Sequence, residues 1–139
     1  MKRTILGLVA GLFAAVAVAS TAYAMDPAKY ADSSLGKILV GPKGMTLYTW
    51  ANDTMGETAS ACTGKCISAW PPLVAPADAK AMGDWTTVNV TDKGGKAEKM
   101  WAYKGQPLYY FIKDKKPGDV TGEGSMGFGA AWHVVKEAM

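Results

Sequence analysis

Two cysteines, Cys62 and Cys66, are separated by three residues in the stretch CTGKC. A catalytic dithiol usually has two intervening residues and lies at a helix N-terminus, which lowers the pKa of the attacking thiol. The surrounding residues have instead the composition of a turn-rich loop, with no helix predicted there. An even number of cysteines in an oxidising compartment indicates a disulfide, and closing so short a loop is worth about 2 kcal/mol. We therefore predict a structural disulfide, and a redox-active one stays open as the alternative.

The chain contains one histidine, His133, which raises the question of a metal site. Together with Cys62, Cys66 and a methionine such as Met55 or Met126, it has the donor types of a soft copper site. Such a site needs reduced cysteines and the convergence of distant segments, and no C-x-x-C-H stretch is present for covalent haem. In a predicted strand His133 is more simply a packed or surface residue. We predict no cofactor and no metal, and keep Cys62, Cys66 and His133 as the alternative ligand set.

Two aspartates, Asp53 and Asp114, end two related stretches, LYTWAND at 47–53 and LYYFIKD at 108–114. Paired carboxylates can hydrolyse glycosidic bonds when they lie about 5–9 Å apart in a cleft. An aspartate just past a strand end commonly accepts hydrogen bonds from backbone N–H groups of the next turn, and it can instead accept from a tyrosine hydroxyl. We favour this structural role, and with it a protein without enzymatic activity. Catalysis by the two aspartates stays a weaker hypothesis.

The aromatic residues of these stretches recur at the same spacing. Because strand side chains alternate, Tyr48 and Trp50 share one face and Leu47 lies on the other. The second stretch repeats this arrangement, and a tryptophan follows each stretch after a loop that contains Thr-Gly. Tyrosine and tryptophan suit the binding of proteins, glycans or aromatic ligands. The motif and binding candidates are Tyr48, Trp50, Asp53, Trp70, Tyr109, Phe111, Asp114 and Trp132.

The elements that must position these residues are short strands separated by Gly, Pro, Asn and Asp. We predict strands at 37–40, 45–50, 85–90, 97–103, 107–113 and 130–136, with hairpin turns between the first two, the third and fourth, and the fourth and fifth. Helix-forming composition occurs only at 75–83, which is too short to be stable alone. The pattern predicts an all-β fold, a small sandwich or barrel-like domain built from two related β-hairpin repeats.

The chain divides into four predicted parts. Residues 1–24 have a basic start, an apolar run and Ala22-Tyr23-Ala24, which indicates a signal peptide cleaved after Ala24. Residues 25–36 are polar and without periodicity, and we expect a flexible lead-in. A single β domain then covers 37–139, with repeat one at about 37–74, a connecting segment at 75–96 and repeat two at about 97–136. Two such copies can pack about a pseudo-two-fold axis.

The signal peptide and the charge limit the possible partners. After cleavage we expect no transmembrane segment and a periplasmic or secreted protein. The formal net charge of +3 includes Lys2 and Arg3 of the signal peptide. Lysines of the remaining chain are interleaved with acidic residues, which argues against nucleic acid as a partner.

Several stretches in order resemble a known family: LYTWAND, SACTGKCISAWPPL, YKGQPLYYFIKD and KKPGDVTGEG, followed by WHVV. They resemble the bacterial secreted-repeat or predicted-lipoprotein family with the Tyr-x-[Phe/Trp/Tyr]-x-x-Asp motif. The resemblance covers about residues 36–136 and implies an exported or envelope-attached protein built of such repeats. Many members are lipoproteins, whereas this chain has no cysteine near its predicted cleavage site. The family carries no settled activity to transfer.

These observations favour an exported, envelope-associated binding or structural repeat protein with an unknown envelope ligand or protein partner. The alternative is a periplasmic redox or copper-handling protein that uses the Cys62/Cys66 loop.

Overall fold

A computed structural model of the chain describes residues 26–139 and, before them, residues 11, 12 and 14. Nearly all of the predicted signal peptide, with its cleavage site, lies outside the described residues. The regular elements of the domain are mostly strands, and the only α-helix among the described residues is five residues long. The elements are β1 Lys29–Ser33, β2 Gly36–Val40, β3 Tyr48–Trp50, α1 Lys65–Ala69, β4 Val74–Ala75, β5 Trp85–Thr91, β6 Ala97–Tyr103, β7 Gln106–Pro107, a 3-10 turn Gly127–Gly129 and β8 Trp132–Val134.

Most regular elements of the described residues are strands, and the strands that pair with one another there are all antiparallel, which confirms the all-β prediction. β1 pairs with β2, β3 pairs with β8, and β6 lies between β4 and β5 with β7 at its end. The predicted hairpin at 41–44 is present, since the N–H of Gly41 donates to the carbonyl of Met45 at 2.8 Å. β3, β7 and β8 are shorter than predicted because irregular backbone continues the chain on either side of isolated bridges, such as that between Tyr48 and Tyr109.

The residues before Lys37 differ from the prediction. Instead of a flexible lead-in, residues 29–33 form β1, which is paired over its whole length with β2. Its side chains are only partly buried, because β1 covers the outer edge of β2. A polar edge strand of this kind has a weak hydrophobic pattern, and pairing rather than burial fixes its conformation.

The α-helix of the described residues lies where the sequence predicts none. Residues 75–83 form no helix, and Ala75 belongs to β4, where it pairs with Lys99. The helix α1 begins instead inside the cysteine loop, at Lys65. It buries Cys66 and Ile67, and the N–H of Trp70 closes its last turn on the carbonyl of Cys66 at 2.8 Å. Burial of this turn against the core, rather than helix propensity, stabilises it.

The two halves of the domain repeat the same backbone hydrogen bonds. Leu39 in β2 donates to Val135 at 2.8 Å and accepts from Leu47 at 3.0 Å. At the equivalent position in β6, Trp101 donates to Leu73 at 2.8 Å and accepts from Leu108 at 3.1 Å. A pseudo-two-fold axis therefore relates β1–β3 to the segment from β5 to residue 109. β5 stands to β6 as β1 stands to β2, so each unit has one strand more than the predicted hairpin repeat.

The axis passes between the two motif tyrosines. Tyr48 donates its N–H to the carbonyl of Tyr109 at 2.8 Å, and Tyr109 donates back to Tyr48 at 3.0 Å. The side chains divide as strand alternation predicts. Tyr48, Trp50, Tyr109 and Phe111 join one apolar cluster, whereas the two leucines, Leu47 and Leu108, join the other.

Candidate functional site

The two motif copies exchange tyrosine–aspartate hydrogen bonds. The hydroxyl of Tyr48, from the first copy, donates to Oδ2 of Asp114 in the second copy at 2.7 Å. The hydroxyl of Tyr109, from the second copy, donates to Oδ2 of Asp53 in the first copy at 2.6 Å. Each aspartate therefore serves the tyrosine of the other repeat, and the motif joins the two repeats across the pseudo-two-fold axis.

The second oxygen of each aspartate fixes the loop that follows it. Oδ1 of Asp114 accepts from the backbone N–H of Thr121 at 3.0 Å and from its hydroxyl at 2.5 Å. Oδ1 of Asp53 accepts from the N–H of Ala61 at 2.9 Å. The two structural roles considered for these aspartates, turn capping and tyrosine binding, thus occur together on each carboxylate. Both oxygens of each carboxylate therefore take part in holding the fold, and the carboxylate of Asp114 is also buried.

Burial sets the electrostatics of these pairs. Burial, followed by the hydrogen bond to Asp114, raises the pKa of Tyr48 well above its ordinary value of 10.0. Burial, followed by the charge of Asp53 and the hydrogen bond to it, raises the pKa of Tyr109 even further. Burial also raises the pKa of Asp53, although hydrogen bonds from Tyr109 and Ala61 oppose that rise.

We expect Tyr48 and Tyr109 to keep their protons until the protein unfolds in alkali. Because their folded pKa values exceed that of an unfolded tyrosine, about 10, the stability linked to them is fully present below pH 10. It is lost as the pH rises further. Phenolate absorbance measured against pH, in the native protein and in denaturant, tests this expectation.

The Tyr48→Phe/Tyr109→Phe double variant is the control for that titration. Its native amplitude below the alkaline unfolding transition should equal that of the unmodified protein, whereas its amplitude in denaturant should be smaller by two tyrosines. A smaller native amplitude in the variant would contradict the assignment.

Beside the tyrosines, four aromatic rings form a continuous stack. Trp70 and Trp132 lie at its centre with ring centroids 3.8 Å apart and planes within 1°. Trp50 stacks on Trp132 at 5.2 Å, and Phe111 stacks on Trp70 at 4.1 Å. Along the order Trp50, Trp132, Trp70, Phe111, the rings come alternately from repeat one and repeat two. The stack therefore follows the same pseudo-symmetry. We call these four residues the aromatic stack.

Most of the predicted binding candidates are therefore interior residues. The exposed fractions of Tyr48, Tyr109 and Trp132 are 0%, and Trp70 is 1% exposed. Trp50 and Asp114 are also buried, while Asp53 and Phe111 are partly exposed. Because these side chains contact one another, a ligand could reach only the partly exposed pair without disturbing the core.

The cysteines form the predicted disulfide, Cys62–Cys66, with Cα atoms 5.3 Å apart. Cys62 is 0% and Cys66 is 4% exposed, so the bond faces the core. The sequence predicted no helix here, whereas Cys66 lies in the first turn of α1. Since the two sulfurs are bonded to each other, neither is a thiolate that could bind a metal.

His133 lies apart from the cysteine chemistry. Its Nδ1 is 2.9 Å from Oε1 of Glu123, whose other oxygen accepts from the N–H of Val134 at 2.7 Å. Burial of Glu123 is outweighed by these two contacts, which hold its pKa below the ordinary value. Among residues 26–139 no group of three or more His, Cys, Asp or Glu side chains is arranged to hold a metal ion.

A groove of about 580 Å³ lies beside the apolar cluster that contains Leu47 and Leu108. It contains aromatic residues that are not among the binding candidates predicted from the sequence. Trp85 and Tyr103 face each other across the β5–β6 hairpin with ring centroids 4.8 Å apart. Burial raises the pKa of Tyr30 in this groove to about 12, and the hydrogen bond and charge of the neighbouring Tyr103 add to this rise. Its lining includes Asp26, Lys29, Tyr30, Leu39, Trp85 and Tyr103, and we call it the aromatic groove.

The sequence predicts the pairing at this groove to within one residue. Counting back from the predicted turn TDKGGK pairs Trp85 with Ala102, whereas the observed partner is Tyr103, because Thr91 still belongs to β5 and pairs with Ala97. Tyr30 cannot be found in this way, because it lies in β1, where the sequence predicts a flexible segment.

Comparison with known proteins agrees with the repeat architecture. The model of a family described as a secreted repeat of unknown function, Lipoprotein_15, matches residues 29–74 and 87–136. Both matches extend further towards the N-terminus than the predicted repeats, 37–74 and 97–136, and take in β1 and most of β5. No curated protein and no solved structure matches the chain.

Proposed function

Because the chain belongs to this family of secreted repeats, we propose that it is an exported, non-enzymatic binding module of the cell envelope whose ligand site is the aromatic groove. The observation that carries the proposal is the concave surface of the groove, which is lined by the partly exposed Tyr30 and Tyr103 together with Trp85, whose exposed fraction is only 5%. Known ligand sites are concave, largely apolar and supplied with a few polar groups. No helix among the described residues is long and apolar enough to span a membrane.

The groove chemistry favours a sugar ring of an envelope glycan as the ligand. Tyrosine and tryptophan offer apolar faces to the C–H side of a sugar and polar tips to its hydroxyl groups. Asp26 and Lys29 at the same groove add an acceptor and donors for further hydroxyl groups. A secreted protein meets such glycans in its own compartment.

The buried motif has a structural role, which leaves ligand binding to the aromatic groove. The motif residues join the two repeats through two reciprocal hydrogen bonds, Tyr48 to Asp114 and Tyr109 to Asp53. A binding site built on packed strands keeps its geometry better than one built on loops. The groove lies on β1, β2, β5 and β6, four strands that this joined scaffold holds.

The test is a titration of the exported protein with a panel of soluble envelope oligosaccharides, followed by NMR of the Trp85 indole. We expect shifts at Trp85, and an affinity loss of at least about tenfold, or 1.4 kcal/mol, for Tyr30→Ala and Tyr103→Ala. Tyr110→Ala, which changes a partly exposed tyrosine outside this groove, is the matched control. Binding that survives both groove substitutions, or no binding to the panel, would refute the proposal.

The competing function is redox or copper handling by the Cys62/Cys66 loop. For the Cys62→Ser/Cys66→Ser variant we expect a loss of unfolding free energy of about 2 kcal/mol, because only a short loop is released, with oligosaccharide binding unchanged. Urea unfolding and the same NMR titration measure the two effects. Loss of binding in this variant, with a folded core, would favour the cysteine loop as the functional site.

A further inference from the structure

Three large apolar side chains are exposed on neighbouring loops of repeat two. Ile112 is 54%, Met126 is 67% and Phe128 is 48% exposed. Both loops contact the segment Ala69–Trp70. The N–H of Ile112 donates to the carbonyl of Ala69 at 3.0 Å, and a Cβ at Gly127 would lie 3.5 Å from Nε1 of Trp70.

The backbone around Phe128 is arranged to present its ring. Phe128 has φ 62°, a left-handed conformation that is unfavourable for an aromatic residue, and it lies between two glycines. The loop is fixed from below, since Trp132 donates its indole N–H to the carbonyl of Gly127 at 2.9 Å and its backbone N–H to Ser125 at 2.8 Å. The protein therefore holds an exposed phenyl ring on a loop that the aromatic stack anchors.

Three exposed lysines follow Ile112 at positions 113, 115 and 116. Lys115 donates to the carbonyl of Ile112 at 3.1 Å, which keeps its stem beside the apolar group. Lys116 pairs with Asp119 at 2.8 Å, while the carboxylate of Asp114 is buried. We call Ile112, Met126 and Phe128 with these lysines the apolar–lysine patch. Its three lysines exceed the two partly exposed acids on these loops, Asp119 and Glu123.

Repeat one shows that the fold does not require this patch. By the alignment of LYTWAND with LYYFIKD, Ala51 occupies the position of Ile112, and Asn52 that of Lys113. Thr54 and Met55 take the positions of Lys115 and Lys116. The loop after each motif therefore forms without a lysine cluster, and the patch is an addition of repeat two.

From these observations we propose that the apolar–lysine patch docks the protein on an anionic lipid surface. Apolar side chains at loop tips can enter the boundary between headgroups and acyl chains, while lysines beside them meet the anionic headgroups. Exposed apolar side chains together with lysines beside Ile112 match both the acyl boundary and the anionic headgroups of such a surface, which favours a lipid surface over a protein partner. Docking would place the rest of the domain beside the membrane without a spanning segment.

The experiment is sedimentation of the exported protein with vesicles of phosphatidylcholine, with and without phosphatidylglycerol. We expect binding only with phosphatidylglycerol and weakening with salt. Met126→Ser/Phe128→Ser should reduce partitioning at least about tenfold, and so should Lys113→Gln/Lys115→Gln/Lys116→Gln. Met55→Ser removes an equally exposed apolar side chain, 64% exposed, from repeat one and should leave partitioning unchanged.

We expect every variant to retain the fold, because all the substituted side chains are exposed. Far-ultraviolet circular dichroism of each variant checks this. Equal partitioning of the patch variants and the unmodified protein would overturn the proposal, and so would an absence of binding to both kinds of vesicle. If the patch substitutions instead abolish dimers seen by sedimentation velocity, the patch contacts a second copy and the lipid proposal is wrong.

Discussion

Asp114→Ala is expected to lower the free energy of unfolding by about 3 kcal/mol. The substitution leaves the Tyr48 hydroxyl and the Thr121 donors without their acceptor at a site where Asp114 is only 7% exposed. An unsatisfied buried polar group costs about 1–3 kcal/mol, and three donors on two residues lose their acceptor here. Urea unfolding followed by far-ultraviolet circular dichroism measures the loss.

Asp53→Ala is the matched control, because Asp53 also accepts from a tyrosine hydroxyl and a backbone N–H, lacks the third bond that a threonine hydroxyl gives Asp114, and is partly exposed. Water can replace its carboxylate, so we expect a loss of about 1 kcal/mol. A double-mutant cycle of Asp114→Ala with Tyr48→Phe should show coupling of at least about 1 kcal/mol. Equal, small losses at both aspartates and no coupling would mean that the reciprocal bonds do not join the repeats.

The sequence predicts the parts of this arrangement but not its reciprocity. The repeated spacing indicates that Asp53 and Asp114 have the same role, and strand alternation correctly separates the tyrosines from the leucines. Which tyrosine each aspartate contacts depends on packing of the two repeats across the axis. No local pattern encodes that contact, because Tyr48 and Asp114 are far apart in the chain and adjacent only in the fold.

The missed strand β1 and the missed groove have one physical cause. β1 is an edge strand whose side chains are only partly buried, so its sequence shows little alternation. Because the sequence predicts a flexible segment where β1 lies, it does not place Tyr30 in a strand, and the aromatic groove that Tyr30 lines cannot be predicted. The aromatic residues of the two motif copies fit a binding surface by type alone, whereas most of them fill the core of this small domain.

The second large effect is expected at the centre of the aromatic stack. Trp132→Ala should reduce the free energy of unfolding by about 4 kcal/mol, the range for removing a buried tryptophan. The indole contacts Trp50 on one face and Trp70 on the other. Tyr109 packs against it as well, in a T-shaped arrangement with ring centroids 5.2 Å apart. Its removal also leaves the carbonyl of Gly127 without its donor.

Phe111→Ala is the comparison for this prediction, because Phe111 ends the stack and is partly exposed. We expect it to cost about 2 kcal/mol, half as much or less, since it contacts the stack on one face and leaves a site that solvent can fill. Trp132→Phe should recover part of the loss by keeping a ring between Trp50 and Trp70. If Trp132→Ala is no more damaging than Phe111→Ala, the stack is not a continuous core shared by the two repeats. If it is the most damaging, and unfolding stays a single transition, then the repeats fold as one unit because each supplies one of the two central rings.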